Sequence, residues 1–445
     1  MIQLRGPLTL PAPIEIDPPG PAEPSRLEID LEALDHNVAA LRSLMVGDLA
    51  YDPATLRQVR RDQRRGRRPD GQPRVCAVVK KDAYGLGAST VAHRLVAAGC
   101  DMLAVYNVDE AAGLVAAGIQ APILLFAPMR ALTRTDALYR HAVAGLLELT
   151  IHDLRQLEQA QAMGTMLGIK VPVHLLLDTG LSRGGLSPDQ LATALRRLDG
   201  FNQVRLAGLY SHLATAASDV DFAYAQLDRL EAAVADHADR LPEDCRIHLA
   251  ATHATLRDPR FHLDMVRPGL GALGYGQASL VGPVMADAPP LRHAVRWVSR
   301  LIHVQRYPRL TPIGYDRSVK LRRESVVGLV PTGYADGYPR ALSGKGVVRA
   351  VTPTAGPIDA KVLGIVNMDQ ITIDLTDAVA AEAEAGGRPL DTDLHDWHDT
   401  PIELIGRDPA APNALPTLAD QAKTTCYEML CRLGSHVPRK YLNSR

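Results

Sequence analysis

The chain has 445 residues, of which 46% are hydrophobic and 22% are charged, a profile typical of a soluble protein with more than one domain. Its formal net charge of -1 creates no overall field for nucleic acid or an anionic membrane, so we expect small molecules and further copies of the chain as partners. The five cysteines include no CxxC pair, which argues against a disulfide framework and a zinc site and favours a reducing cytoplasm.

The N-terminal part of the chain predicts an arm, a strand, a helix and an insertion. Residues 1–25 are rich in proline and lack a continuous apolar segment, so we expect an irregular arm and neither a signal peptide nor a membrane span. From Arg26, the text RLEIDLEALDHNVAALRSL predicts a strand and a helix capped by Asp30. Residues 48–74 are arginine-dense and predict a solvated insertion. A nucleic-acid patch is the alternative, but no aromatic residue separates the arginines to stack on bases.

The next part of the chain alternates short apolar runs with stretches of helical length. Eight such runs predict eight strands: VCAVVK, MLAVYN, PILLF, AGLLEL, VHLLLD, LAGLYSH, RIHLA and DMVRPG. A parallel (β/α)8 TIM-type barrel over residues 26–283 is the natural interpretation. From residue 284 to 445 the text becomes strand-like and predicts a C-terminal, mainly β domain. The stretch Val379 to Arg388 and the segment DPAAPNALP are interpreted as surface excursions.

Polar groups occur where the predicted barrel strands end, which is the face on which such barrels carry their chemistry. The first strand ends on two lysines, and the loops after the last two strands are rich in small residues whose amides could approach an anion. A desolvated lysine and a phosphate cradle together suggest pyridoxal phosphate held as a Schiff base. The strand-end residues are Lys80, Lys81, Tyr84, Asp178, Arg183, His212, His248, Thr252, Arg267, Gly269 and Gly271.

Each of these residues also has an ordinary structural interpretation when it is taken alone. A lysine at a strand end usually extends its charge into water, a histidine there is usually a satisfied core residue, and a tyrosine in a glycine-rich turn is usually a turn aromatic. His395 and His398 could ligate a metal, but no further ligand accompanies them, so we predict no metal site. The order and spacing of the whole set therefore carry the functional interpretation.

Eight segments stand in one order along the chain: VVKKDAYG, LDTGLSRGG, GLYSHLATA, HLAATHA, MVRPGLGALGYG, GYADGYPR, GIVNMDQ and TTCYEMLCRLGSHVPRKY. This series resembles the motifs of the alanine racemases, the fold-type III family of pyridoxal-phosphate enzymes. The resemblance runs from Arg26 to the C-terminus, apart from the arginine-rich insertion and the excursion after Asp377. It implies an amino-acid racemase that forms a head-to-tail homodimer with shared active sites.

Racemisation requires one group that removes a proton from Cα and another that returns a proton to the opposite face. The resemblance implies that Lys80, the Schiff-base lysine, and Tyr334 are these two catalytic groups. It places Arg183 near the cofactor phenolate and the substrate carboxylate, His212 beside the ring and Arg267 at the pyridine nitrogen. The remaining implied contacts, to the phosphate, the cofactor or the substrate, are Tyr84, Thr252, Gly269, Leu270, Met368 and Tyr427.

The sequence departs from the family pattern at four positions. Leu176 stands where many members have a lysine that becomes carbamylated, and Leu86, Leu181 and Ile365 replace a histidine, a methionine and an arginine near the pocket. The preferred function is interconversion of L- and D-alanine, which supplies D-alanine for peptidoglycan. The alternatives are a racemase of serine, of lysine or arginine, or of broad specificity, a decarboxylase of related fold, and a non-catalytic pyridoxal-phosphate carrier.

Overall fold

The computed structural model of the chain describes residues 16–20, 22–45, 71–276, 289–390 and 393–444. Most of the predicted N-terminal arm and nearly all of the predicted insertion at residues 48–74 lie outside the described residues. The chain divides into two compact units. One unit contains residues 1–29 and 295–442, and the other contains residues 30–294 and 443–445.

After a first strand, β1 (Ser25–Asp30), and a first helix, α1 (Leu31–Ser43), the chain forms a closed barrel of eight strands. Each barrel strand pairs in parallel with the next, and the last pairs with the first. The closed parallel barrel confirms the predicted fold class. The sequence could predict it because parallel strands that are covered on both faces appear in a sequence as continuous apolar runs. The strands are Arg74–Val78 (β2), Met102–Val105 (β3), Ile123–Leu125 (β4), Leu147–Ile151 (β5), Val171–Leu176 (β6), Val204–Tyr210 (β7), Arg246–Ala251 (β8) and Met265–Arg267 (β9).

Several helices of the barrel unit begin at side chains that accept hydrogen bonds from the first turn. Asp30 accepts from Glu32 N at 3.1 Å and from Ala33 N at 3.3 Å, as the sequence predicts. Ser187 forms a reciprocal capping box with Gln190. The helices after α1 are Ala88–Ala97 (α2), Val108–Ala116 (α3), Tyr139–Val143 (α4), Leu154–Leu167 (α5), Pro188–Leu198 (α6), Val220–Asp236 (α7) and Thr252–Arg257 (α8).

The other unit is mainly β, as predicted, and its main element is a nine-stranded sheet with the strand order β11-β14-β17-β16-β15-β18-β10-β1-β19. A separate two-stranded ribbon joins β12 and β13. The strands are Val295–Arg300 (β10), His303–Tyr307 (β11), Pro312–Ile313 (β12), Val319–Lys320 (β13), Ser325–Val330 (β14), Val347–Thr352 (β15), Gly356–Leu363 (β16), Ile371–Asp374 (β17), Pro401–Ile405 (β18) and Arg439–Leu442 (β19). Its helices are Thr376–Glu384 (α9), Leu415–Ala422 (α10) and Cys426–Cys431 (α11).

The limits of the two units differ from the predicted boundaries of 26–283 and 284–445. Strand β1 pairs antiparallel with β10, from Ser25 opposite Ser299 to Ile29 opposite Val295, and so belongs to the β unit. Residues 289–294 stay with the barrel unit, because Asn37 of α1 bonds both backbone groups of Arg292, at 2.9 and 2.7 Å.

The two predicted surface excursions are wrong. Residues 376–384 form helix α9, which buries Glu382 so that its carboxylate accepts from the backbone N–H groups of Thr354 and Ala355. In DPAAPNALP, Asn413 is fully buried and its amide donates to Glu403 O at 3.0 Å. In both segments a polar side chain satisfies the backbone of a distant segment, which a local pattern does not reveal.

Candidate active site

The segment after β2 begins with Lys80 and turns in the left-handed sense. Val79 N donates to Ala104 O of β3 at 2.9 Å, which fixes the end of the strand. The turn covers Lys80–Gly85, and residues 81–84 all have φ between 51° and 60°. A left-handed conformation costs a non-glycine residue about 1–2 kcal/mol, so neighbouring contacts must hold this turn. The sequence predicts a turn here but not its hand.

The two lysines of the turn have different surroundings. Lys81 is exposed, and its ammonium lies 3.1 Å from Glu110 Oε1 and 5.5 Å from the centre of the Tyr106 ring. Its backbone N–H donates to the same carboxylate, so Glu110 ties the turn to the first turn of α3. Lys80 is half-buried and lies close enough to His212 for its charge to affect that imidazole.

His212 follows β7 and lies among three of the predicted cationic residues. Burial is the largest cause that lowers the pKa of His212 to about 3, and the charges of Arg267, Arg183 and Lys80 lower it further. The imidazole is therefore neutral at physiological pH. The structure brings these four predicted residues together at the carboxyl ends of the barrel strands, where such barrels bind their ligands.

The loop after β9 packs closely on the start of α8. Thr252 Oγ1 accepts hydrogen bonds from Gly269 N at 3.2 Å and from Gly271 N at 3.0 Å. The hydroxyl of Tyr84 occupies the position that a Cβ atom on residue 269 would need, so any larger residue there would displace Tyr84. Because Thr252 Oγ1 accepts from both N–H groups, the proton of its own hydroxyl is left to donate, which suits an anionic group such as a phosphate.

Arg267 ends β9 and is the most constrained cation of the site, with 2% of its surface exposed. Its Nη2 donates to Ser211 O and Leu249 O, each at 2.9 Å, and lies 3.4 Å from His212 Nδ1. The guanidinium stands over the ring of Tyr210, 5.0 Å from its centre. Burial lowers the pKa of Arg267, but an arginine starts so high that it remains protonated.

Arg183 lies in the loop after β6 and is exposed in the single chain. The loop is shaped by Asp178, whose carboxylate accepts from the backbone N–H groups of residues 180, 181 and 182 at 2.9 to 3.1 Å. Leu176 is buried and apolar, so it offers no charge to orient a guanidinium. Within the described ranges, no acidic side chain forms an ion pair with Arg183.

Gln226 of α7 is a site residue that the sequence analysis missed. It is fully buried, and its amide nitrogen lies 3.2 Å from His212 O and 3.3 Å from Thr179 Oγ1, while its oxygen accepts from Ala214 N at 2.8 Å. Thr179 Oγ1 in turn lies 2.7 Å from Ser211 Oγ. One amide therefore joins the loops after β6 and β7. The available signal was a glutamine on the apolar face of a predicted helix.

In the β unit, Tyr334 and Met368 lie on neighbouring loops. Tyr334 N donates to Asn367 O and Ala335 N donates to Met368 O, each at 3.0 Å. Both side chains are exposed, Tyr334 to 42% and Met368 to 53%, which is high for residues of this size and polarity. Tyr427 lies in α11 of the same unit and is half-buried.

Neither a metal cluster nor a membrane span is found in the part of the chain that the structure describes. There, no three histidine, cysteine or acidic side chains gather as a set of metal ligands, although the rings of His395 and His398 are 4.3 Å apart. The described helices also fall short of the combined length and hydropathy that crossing a bilayer requires.

Comparison with known proteins identifies the family. The model of the alanine racemase N-terminal domain matches residues 54–277, and that of the alanine racemase C-terminal domain matches residues 294–441. The chain belongs to the alanine racemase family. It is 32% identical over 420 residues to alanine racemase of Desulfovibrio desulfuricans, an alignment that covers 93% of this chain and 97% of the relative. The family resemblance and the assignment as an amino-acid racemase are thereby confirmed.

Solved structures give the same result. Alanine racemase from Streptomyces coelicolor A3(2) superposes with a TM-score of 0.74 at 30% identity, covering 94% of this chain and 98% of that chain. Alanine racemase from Bartonella henselae, solved with covalently bound pyridoxal phosphate, superposes with a TM-score of 0.70 at 26% identity, covering 95% of this chain and all of that chain. Both neighbours span the barrel and the β unit.

Proposed function

We propose that this family member interconverts L- and D-alanine with pyridoxal phosphate, and that Lys80 and Tyr334 are its two proton-transfer groups. The observation that carries the proposal is the cluster of Lys80, His212 and Arg267 at one end of the barrel, next to the glycine cradle at Thr252. When bound, pyridoxal phosphate supplies an electron-withdrawing ring that makes the Cα proton of an amino acid acidic. Its covalent presence in the Bartonella henselae structure supports this cofactor.

The residues of the barrel fit the cofactor chemically. A side chain at position 269 would meet the Tyr84 hydroxyl, and Thr252 Oγ1 accepts from the N–H groups of Gly269 and Gly271, so its own hydroxyl proton could be donated to a phosphate. Arg267 donates hydrogen bonds but keeps its proton, so at the pyridine nitrogen it would leave that nitrogen unprotonated. This makes the ring a weaker electron sink, which limits side reactions such as transamination. The remaining proposed contacts are Tyr84, Arg183, His212, Leu270, Met368 and Tyr427.

Racemisation by two bases places one proton-transfer group on each face of Cα. Lys80 would hold the cofactor and its nitrogen would serve one face of Cα, and the phenol of Tyr334 would serve the other. The exposure of Tyr334 and Met368 in the single chain supports a head-to-tail homodimer, in which a second copy of the chain covers these side chains. Each active site would then combine the barrel of one chain with Tyr334 of the other.

Reduction of the holoenzyme with borohydride, followed by peptide mapping, tests the covalent link. We expect the label on Lys80, whereas a label on Lys81 would contradict the assignment. Interconversion of L- and D-alanine should fall by at least about a thousandfold in Tyr334→Phe, which removes the phenolic proton but keeps the ring. Full activity in this variant would exclude Tyr334 as a base. The matched control is Tyr315→Phe, which changes another exposed tyrosine of the β unit.

A substrate panel decides between alanine and the second candidate, a racemase of serine, of basic amino acids or of broad specificity. The substitutions at Leu86, Leu181 and Ile365 favour this second candidate, because they change the side chains near the predicted pocket. We expect the highest kcat/KM with alanine. Binding of the cofactor without turnover of any amino acid would instead indicate a carrier. Supply of D-alanine for peptidoglycan and a cytoplasmic location complete the proposal.

A further inference from the structure

A chain of polar side chains runs through the interior of the barrel, behind Arg267. Arg267 Nη1 donates to His248 Nδ1, and His248 Nε2 lies 2.8 Å from His174 Nδ1. His174 Nε2 lies 2.6 Å from Glu148 Oε2, and Arg246 Nη2 donates to the same oxygen at 2.6 Å. Each of the five residues is buried. This series of side chains links strands β9, β8, β6 and β5, which are far apart in the sequence.

The donors and acceptors in this chain allow only one arrangement of protons. An arginine can only donate, so His248 Nδ1 must accept and the proton of this imidazole must sit on Nε2. That proton points at His174 Nδ1, which must accept in turn, so His174 is also protonated on Nε2. Its Nε2 proton then points at Glu148, which accepts as a carboxylate. Every hydrogen bond therefore runs in one direction, from Arg267 to Glu148.

The charge states agree with this direction. Burial opposes ionisation of Glu148, but the hydrogen bonds from His174 and Arg246 and the charge of Arg246 hold its pKa well below its usual range, so it is a carboxylate. Burial lowers the pKa of both His174 and His248, so both imidazoles are neutral. The ring of Tyr210 stacks on His248 with centres 4.6 Å apart, and its hydroxyl lies 3.1 Å from Thr150 Oγ1. The burial of these residues excludes bulk water from the series of hydrogen bonds.

We propose that Glu148 is a positioning residue for Arg267 and acts through His174 and His248. Its carboxylate fixes the tautomer of both imidazoles, so that His248 always presents a lone pair to Arg267. A guanidinium has five N–H groups, and His248, Ser211 and Leu249 take three of them, which leaves the second hydrogen on Nη1 and the one on Nε for a ligand. This inference rests on the proposed function in one respect only, namely that the ligand of Arg267 is the pyridine nitrogen of the cofactor.

The direction of the chain can be measured without any turnover. In protein labelled with nitrogen-15 at histidine, we expect NMR to show His174 and His248 as neutral imidazoles protonated on Nε2 alone. A proton on Nδ1 of either residue in the wild-type protein would overturn the proposal. The variants His141→Gln and His253→Gln remove a buried and a half-buried imidazole of the barrel unit, so the signals that they lose are excluded from the assignment.

The variant Glu148→Gln tests the role of the carboxylate. Its amide can present either its oxygen or an N–H group to His174, so we expect His174 and, through it, His248 to lose their single tautomer, although Glu148 does not bond His248. The matched control is Glu28→Gln in the β unit, where a buried carboxylate likewise bonds two arginines, Arg26 and Arg296, and should leave both tautomers unchanged. If His248 keeps its tautomer in Glu148→Gln, the carboxylate does not set the direction.

Loss of the carboxylate also leaves Arg246 without its buried counter-charge, so the single variant could fail to fold. The double variant Glu148→Gln/Arg246→Met removes both charges and is read by the same spectra, with the same expected change at His248. In the holoenzyme, we expect either variant to lower kcat by about tenfold with a change in KM below about twofold. A wild-type protein with the stated tautomers but no racemase activity would contradict the proposed function and leave this inference standing.

Discussion

The barrel interior should make folding of this protein sensitive to mild acid. The folded state keeps His174, His212 and His248 neutral, whereas the unfolded chain protonates them below a pKa of 6.5. The unfolded state therefore binds more protons as pH falls, and the free energy of unfolding decreases. For His212, whose pKa falls to about 3, the loss between about pH 7.5 and about pH 5.5 is about 1.4 kcal/mol. Burial also lowers the pKa of His174 and His248, so these two groups add to the loss in the same direction.

Urea unfolding followed by far-UV circular dichroism measures this loss. With a slope of about 3 kcal/mol per molar urea, the contribution of His212 alone should lower the midpoint of the barrel transition by about 0.5 M between the two pH values. Carboxyl groups contribute little there, because their ordinary pKa of 4.5 lies below the window. Fluorescence of Trp297 and Trp397 reports the β unit and is the internal control, since every described histidine with a lowered pKa lies in the barrel unit. Equal far-UV midpoints at the two pH values would refute neutral buried imidazoles.

Three substitutions test other parts of the structure. Gly269→Ala should displace Tyr84 and weaken binding of pyridoxal phosphate by at least about tenfold in a spectroscopic titration. Adding Tyr84→Phe should recover part of the lost affinity, because the hydroxyl that clashes with the new Cβ atom is then absent. Gln226→Leu should lower the free energy of unfolding by about 2 kcal/mol in urea, since Ala214 N and the loop of His212 lose their buried partner; an unchanged midpoint would contradict this role. Tyr338→Phe should leave stability unchanged or raise it by about 1 kcal/mol, because the buried hydroxyl has no hydrogen-bond partner among the described residues; a clear loss would reveal a missing partner.

The barrel strands could be predicted because their signal is local. Parallel strands buried on both faces leave continuous apolar runs, and helix caps such as Asp30 are readable from a few residues. The sequence analysis assigned strand β1 to the barrel because β1 comes just before the barrel strands in the sequence. Its pairing partner is β10, which begins at Val295, after the last barrel strand. An alternating pattern states that a strand exists but not which strand it pairs with. Glu382 and Asn413 were missed for the same reason, since their partners lie in distant segments.

The candidate site likewise contains residues that a local sequence pattern predicts and residues that only the tertiary structure reveals. The positions of Lys80, His212 and Arg267 follow from where strands end, because the carboxyl ends of parallel strands share one face. Glu148 and His174 had no such signal. A single charged or polar residue inside an apolar run does not indicate, by itself, a bonding partner elsewhere in the sequence. Only closure of the barrel brings β5, β6, β8 and β9 close enough for their side chains to bond. Polar networks of this kind are properties of the tertiary structure.

The left-handed turn at residues 81–84 also bears on how the protein matures. Its conformation is unfavourable on its own and depends on contacts with β3, with α3 through Glu110, and with residue 269 through Tyr84. A nascent or partly assembled polypeptide lacks those supports, so it cannot present the lysine amine in its final position. If the proposed cofactor binds at Lys80, its incorporation would follow closure of the barrel, and cofactor content would report the fraction of molecules that have matured.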